Sequence, residues 1–144
     1  MHRLNLLFIL LLAFSTFNTQ ASEPKPGLWN LSITTTAEGA TQTFGPYNSS
    51  QCLSQEDIRN PEKLLADNGA ADCSYGNKQY QDNRFSFTVQ CGGAIPMSGS
   101  GSIAYTADTL QGEVNITADL QGLEVAAKSQ VSGARVGDCT AGQK

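Results

Sequence analysis

The chain has 144 residues, of which 40% are hydrophobic and 15% are charged, and its formal net charge is −4 at pH 7. This length is enough for one compact domain with a hydrophobic core of its own. No cluster of lysine and arginine offsets the negative balance, so the composition excludes a nucleic-acid partner held by a basic patch.

The first segment has the pattern of an export signal. A short basic head, Met1 to Arg3, precedes an apolar run from Leu4 to Phe14, and Thr19 to Ala21 provides small residues for a cleavage site. The apolar run is shorter than the roughly 20 residues that a permanent membrane-spanning helix needs. We therefore predict a signal peptide over residues 1–21, a single β domain over residues 22–144, and no membrane span in the mature chain.

Alternation of apolar and polar residues starts soon after the predicted cleavage site. Trp29, Leu31 and Ile33 alternate with polar residues, which is typical of a strand with one buried face. A turn at Glu38-Gly39 separates this strand from a weaker predicted one over residues 40–47, centred on Phe44.

A helical insertion interrupts this rhythm. Ser54 has an acid three residues later, Asp57, which is typical of a capped helix start. Asn60-Pro61 begins a second short helix that carries Leu64 and Leu65. We predict a helical insertion over residues 54–67, between strands 2 and 3.

The second half of the chain has the clearest alternation. It predicts strands at Arg84 to Cys91, Met97 to Ala107 and Leu110 to Leu120, and a last strand that starts at Leu123. Short turns separate these strands, and connections this short force neighbouring strands to pair antiparallel. The predicted fold class is mainly β: an antiparallel meander of about seven strands, curled into a half-open barrel around its apolar face.

All four cysteines, Cys52, Cys73, Cys91 and Cys139, follow the predicted signal peptide. An even number of cysteines in an exported chain indicates two disulfide bonds, and sequence alone allows three ways to pair four cysteines. The preferred pairing is Cys52–Cys73 with Cys91–Cys139. The first bond would clamp the insertion, and the second would tie the last strand to a central one.

The single histidine, His2, lies in the predicted signal peptide. Its removal excludes histidine-based nucleophile systems and imidazole metal ligands. We therefore expect no catalytic residues, no metal site and no cofactor. Paired carboxylates remain a possible hydrolytic system, but the acids occupy predicted turns or outward strand positions: Asp82, Asp108, Glu113 and Asp119.

Two residues are candidates for ligand binding. Trp29 is either a platform on which a ligand stacks or a core anchor, and its register with Leu31 and Ile33 favours the core. Arg135 is either an anion-binding group or one half of a structural ion pair, with Asp138 as its nearest partner in sequence.

Four short motifs spread along the chain carry a family resemblance. They are Pro26-Gly27-Leu28-Trp29, Gln51-Cys52-Leu53, Cys91-Gly92 and Gly133-Ala134-Arg135-Val136-Gly137-Asp138-Cys139. Together they resemble the family known as domain of unknown function 3617, which comprises small exported proteins of Gram-negative bacteria. The resemblance implies a periplasmic location and implies no activity.

Three hypotheses for function remain. The first is a non-enzymatic periplasmic binding module that holds an apolar or amphipathic small molecule inside the curled sheet. The second is a protein-interaction or inhibitor-like module that binds another envelope protein through an edge strand or loop. The third is a carboxylate-dependent hydrolase.

Overall fold

The structure is a computed structural model that describes residues 23–39, 41–61 and 72–141. The predicted signal peptide lies outside the described residues. So do Leu64 and Leu65, which were assigned to the second short helix of the insertion.

The described residues form seven strands and one short helix. In chain order they are β1 (Gly27–Ala37), β2 (Thr43–Leu53), α1 (Gln55–Arg59), β3 (Cys73–Gln81), β4 (Arg84–Cys91), β5 (Met97–Tyr105), β6 (Thr109–Leu120) and β7 (Leu123–Gly137). All seven strands belong to one antiparallel sheet that does not close on itself. The predicted fold class is therefore confirmed, including the helix between strands 2 and 3.

The strand order explains why the chain needs a long connection after β2. The order across the sheet is β2-β1-β7-β6-β5-β4-β3, and each of its pairings is antiparallel. Because an even number of antiparallel steps separates the two edges, β2 and β3 run in the same direction. Parallel strands need a connection of about a dozen residues or more. Residues 54–72, which contain α1, provide that connection.

The first helix forms where the capping pattern predicts it. The Ser54 N–H donates to Asp57 Oδ2 (2.8 Å), and the Asp57 N–H donates to Ser54 Oγ (3.2 Å). These reciprocal bonds form a capping box and satisfy backbone donors at the helix start. The helix ends at Arg59, before Asn60.

The sheet has one apolar and one polar face. The core lies on the apolar face and contains Phe85, Phe87 and Val89 of β4 with Val114 of β6. Neighbouring residues on β4 and β6 point to the opposite face and are mostly polar, as period-two geometry requires. Among the described residues no polar or charged side chain is buried. The buried cluster of the described residues has four members, so the core is small for a seven-stranded sheet.

Strand β3 was not located individually from the sequence because a register shift hides its alternation. Tyr75 lies opposite Val89 and Tyr80 lies opposite Phe85, with the shift between Gly76 and Gln79. The shift places both tyrosines on the apolar face, although their spacing of five residues puts them on opposite faces of a regular strand.

The preferred disulfide pairing was wrong. All four cysteines form disulfide bonds, but the bonds are Cys52–Cys139 and Cys73–Cys91. Cys52 lies opposite Leu28 on β1, and Leu28 lies opposite Gly137 on β7, which brings the end of the chain beside β2. The second bond joins directly opposed residues of the β3–β4 hairpin.

Candidate functional site

The apolar face is covered unevenly. In its β4–β6 half, Phe85 and Phe87 are only 2% and 3% exposed. In its β1–β2 half, Ile33, Phe44 and Tyr47 are 36%, 50% and 65% exposed. We call these last three residues the β1–β2 patch.

The strand register places the three patch residues side by side. Ile33 lies directly opposite Tyr47, and Phe44 lies opposite Thr35, two residues further along β1. A register shift between Ile33 and Thr35 puts Phe44 and Tyr47 on the same face. The patch is therefore one contiguous surface and not three separate exposed side chains.

The patch continues into the core as a row that crosses the whole sheet. From the β2 edge to the β3 edge, the paired residues of this row are Tyr47, Ile33, Val131, Gly112, Ile103, Phe85 and Tyr80. Its two ends are exposed, since Tyr80 is 53% accessible and stacks on Phe85 with ring centroids 4.7 Å apart. An apolar surface thus reaches both open edges of the sheet.

The polar face carries two shallow depressions of about 590 Å³ and 570 Å³. Neither is lined by a charged residue. In the first, Ser50 Oγ donates to Asn30 Oδ1 at 2.6 Å, with Ser32 and Asn48 on the same side. These depressions offer neutral hydrogen-bonding groups and no group that is set up for acid–base chemistry.

Trp29 lies in the interior. Its side chain is 0% exposed, and its indole Nε1–H donates to the Lys25 carbonyl oxygen at 3.0 Å. The hydrogen bond satisfies the one polar atom that burial removes from water. This geometry is that of a core anchor that fixes the lead-in to β1, and it leaves no ring face for a ligand.

Arg135 links the two ends of the described chain. Its Nε donates to the Pro26 carbonyl oxygen at 2.9 Å, and its Nη2 pairs with Asp138 Oδ1. The side chain is 20% exposed, whereas that of Asp138 is 93% exposed. The guanidinium therefore holds the segment before β1 against the segment after β7.

Three of the four acids considered for hydrolysis, Asp108, Glu113 and Asp119, have structural contacts. Glu113 accepts from Lys128 Nζ at 3.0 Å, and this bond lowers the pKa of the Glu113 carboxyl. Asp108 pairs with Lys25 at 3.4 Å. Asp119 accepts the Gly122 N–H at 2.6 Å in the β6–β7 turn.

Among the described residues, no group of three or more histidine, cysteine, aspartate or glutamate side chains is placed to hold a metal ion. No helix in this part of the chain is long and apolar enough to cross a membrane.

The β1–β2 patch was not selected from the sequence. The sequence predicts a weak strand that is centred on Phe44 and ends at Tyr47, and it indicates no role for either residue. One signal was available: these two aromatic residues stand in a segment, Thr43–Leu53, that is otherwise mostly small and polar. Their exposure depends on β2 being an edge strand, which the sequence does not reveal.

Comparison with known proteins places the chain in a family. Residues 24–139 match the family model described as "Protein of unknown function (DUF3617)". No curated protein and no solved structure matches the chain. The matched range begins just before β1 and ends at Cys139, so it contains every described strand and both disulfide bonds. The chain therefore belongs to the DUF3617 family.

Proposed function

We propose that this protein is a non-enzymatic binding module of the periplasm that holds an apolar or amphipathic small molecule on the open half of its apolar face. The observation that carries the proposal is the β1–β2 patch of Ile33, Phe44 and Tyr47. These side chains remain in contact with solvent, whereas Phe85, Phe87 and Val114 on the same face are packed.

The energetic argument follows from the exposed apolar area. Each 100 Å² of apolar surface that a ligand removes from water contributes about 2.5 kcal/mol to binding. Contiguous exposed apolar surface on a single domain often marks a binding site. An apolar molecule would lie against Ile33, Phe44 and Tyr47 at the β2 edge, with its polar end in solvent.

The covalent structure supports the proposed compartment. All four cysteines are joined in disulfide bonds, which form and persist in oxidising compartments. The predicted signal peptide and the resemblance to exported Gram-negative proteins point to the periplasm in particular.

A dye-binding experiment tests this function. The purified oxidised protein is titrated with N-phenyl-1-naphthylamine, an apolar dye whose fluorescence rises when it leaves water. We expect saturable binding that Phe44→Ser and Tyr47→Ser each weaken by about tenfold, which corresponds to about 1.4 kcal/mol of lost apolar contact.

The matched control is Ile95→Ser, which removes an apolar side chain that is 46% exposed in the β4–β5 connection. This variant should bind the dye like the parent protein. If the dye does not saturate, or if Ile95→Ser weakens it as much as Tyr47→Ser does, the patch is not a ligand site.

A further inference from the structure

The directions of the two edge strands, β2 and β3, determine which kind of strand could pair with both. Because β2 and β3 run in the same direction, pairing them with each other would place one parallel contact in an otherwise antiparallel sheet. One further strand between them, running antiparallel to both, would close the sheet with eight strands in uniform antiparallel pairing.

Hydrogen bonds at the strand ends determine which backbone groups of β7 and β1 face each other. The Arg135 N–H donates to Asp108 O (2.9 Å), so the odd-numbered residues of β7 bond to β6. The even-numbered residues of β7 bond to β1, in agreement with the bond from Glu38 N–H to Ala126 O (2.8 Å). In β1 the even-numbered residues therefore bond to β7, and the odd-numbered residues bond to β2.

The same alternation identifies the outward groups of β2. Leu31 of β1 is odd-numbered and lies opposite Ser49, so Ser49 bonds to β1. Its neighbours Asn48 and Ser50 then direct their N–H and C=O groups away from β1, toward the open side of the sheet.

On the other edge, the outward groups of β3 follow from one bond. The Gly92 N–H donates to Asp72 O (3.0 Å), which makes these two residues a hydrogen-bonded pair. The next pair, Cys73 and Cys91, is then a non-hydrogen-bonded pair, whose side chains approach closely enough to form their disulfide bond. Cys73 and Tyr75 therefore direct their N–H and C=O groups toward the open side.

The side chains and charges of β2 and β3 indicate which kind of segment could pair with both edges. The edges present aromatic residues to the apolar face, with Phe44 and Tyr47 on β2 and Tyr75 and Tyr80 on β3. Among the residues of the two edge strands, the only charged one is Lys78. A complementary segment is thus uncharged, with apolar side chains at every second position to meet the apolar face.

We propose that the open side between β2 and β3, which we call the seam, binds an extended segment of a partner protein as an eighth strand. Recognition would combine main-chain hydrogen bonds to both edges with apolar contacts at alternate side chains. The proposal goes beyond the small-molecule function, because it depends on the backbone groups of the edges and on a different class of partner.

The first test uses backbone-modified peptides. The probes are a set of short synthetic peptides with Val, Ile, Phe or Tyr at alternate positions, Thr or Gln between them, and blocked ends. The best binder, found by calorimetry on the oxidised full-length protein, is then remade twice, with N-methyl groups on its odd or on its even residues. Each form loses the amide donors to one edge, so we expect both to bind at least about tenfold more weakly, since one hydrogen bond contributes about 1 kcal/mol.

The second test changes the protein. Asn48→Pro removes an N–H that faces the seam and leaves the β1–β2 ladder intact, whereas Asn48→Ala removes the same side chain and keeps the N–H. We expect Asn48→Pro to weaken peptide binding about tenfold relative to Asn48→Ala. Equal circular dichroism spectra of the two variants serve as the folding control.

The proposal is wrong if no peptide of the set binds, or if only one of the two N-methylated forms loses affinity. It is also wrong if Asn48→Pro binds the peptide like Asn48→Ala. A dimer in analytical ultracentrifugation that forms through these edges would contradict it as well. Dye binding is measured in a separate experiment. The peptide-binding results can therefore be interpreted even if the protein binds no small molecule.

Discussion

At the scale of single residues, Gly101 determines how the centre of the sheet packs. It lies between Phe87 of β4 and Val114 of β6 and is itself buried. An ideal Cβ at this position would lie 2.8 Å from Phe87 Cε1, because the phenyl ring covers the glycine backbone. The absence of a side chain thus lets Phe87 lie flat in the core.

Gly101→Ala should therefore destabilise the fold by overpacking. We expect a loss of about 1–3 kcal/mol in the free energy of unfolding, because Phe87 must leave its position. The measurement is urea unfolding of the oxidised protein.

The control is Gly137→Ala, where an added Cβ meets no atom within 4 Å. This variant should change the unfolding free energy by less than about 0.5 kcal/mol. Equal stability of Gly101→Ala and the parent protein would show that the ring does not lie over the glycine.

At the scale of elements, the sequence predicts strands well where alternation is uninterrupted. The predicted strand Arg84 to Cys91 has the observed bounds of β4, and the strand predicted at Leu110 to Leu120 begins one residue late. The two edge strands were predicted poorly for a common reason. Register shifts in β2 and β3 move apolar residues out of the period-two pattern, so the pattern weakens where the sheet ends.

The cysteines show a second limit of sequence reasoning. That all four form disulfide bonds follows from their even number and the predicted export. Their pairing depends on which strands are neighbours. One local signal existed, because Cys73 and Cys91 lie at nearly equal distances from the Asp82-Asn83 turn and so face each other in a hairpin. No local pattern in the sequence indicates the Cys52–Cys139 bond. These two residues are close because β1 pairs with both β2 and β7.

The two disulfide bonds should contribute unequally to stability. They span sequence separations of 87 residues for Cys52–Cys139 and 18 residues for Cys73–Cys91. By the chain-entropy relation, these loops correspond to about 4.6 and about 3.2 kcal/mol. Replacing Cys52 and Cys139 by serine should therefore lower the unfolding free energy by about 1.4 kcal/mol more than replacing Cys73 and Cys91.

Urea unfolding of the two double-serine variants measures this difference, and peptide mapping of the unreduced parent protein checks the pairing itself. A disulfide-linked peptide that joins Cys52 to Cys73 would contradict the structure.

At the scale of the whole molecule, the directions of the strands account for three features: the helical insertion, the exposed β1–β2 patch and the seam. Seven strands in uniform antiparallel pairing leave two edges that point the same way, so the sheet stays open and the chain needs a long crossover between those edges. The open edge exposes apolar side chains of β2 that a closed sheet would cover. The described residues thus form a sheet with two open edges, β2 and β3.

The same feature explains why the candidate site was not predicted. Trp29 and Arg135 stand out in the sequence by residue type, yet both make interior or structural contacts. The exposure of Phe44 and Tyr47 is a consequence of strand order. Alternation within each strand gives the faces of the sheet, but the identity of the edge strands comes from pairings distant in sequence.

Amide hydrogen exchange measured by NMR on the oxidised protein tests the central claim, that β2 and β3 are open edges. The account predicts alternation along β2, with slow exchange at Tyr47 and Ser49, which bond to β1, and fast exchange at Asn48 and Ser50, which face the seam. Cys73 and Tyr75 should also exchange fast, while Val114 in the centre of the sheet exchanges slowly. Uniformly slow exchange along β2 and β3 would contradict the account, because it would mean that both strands already have a second neighbour.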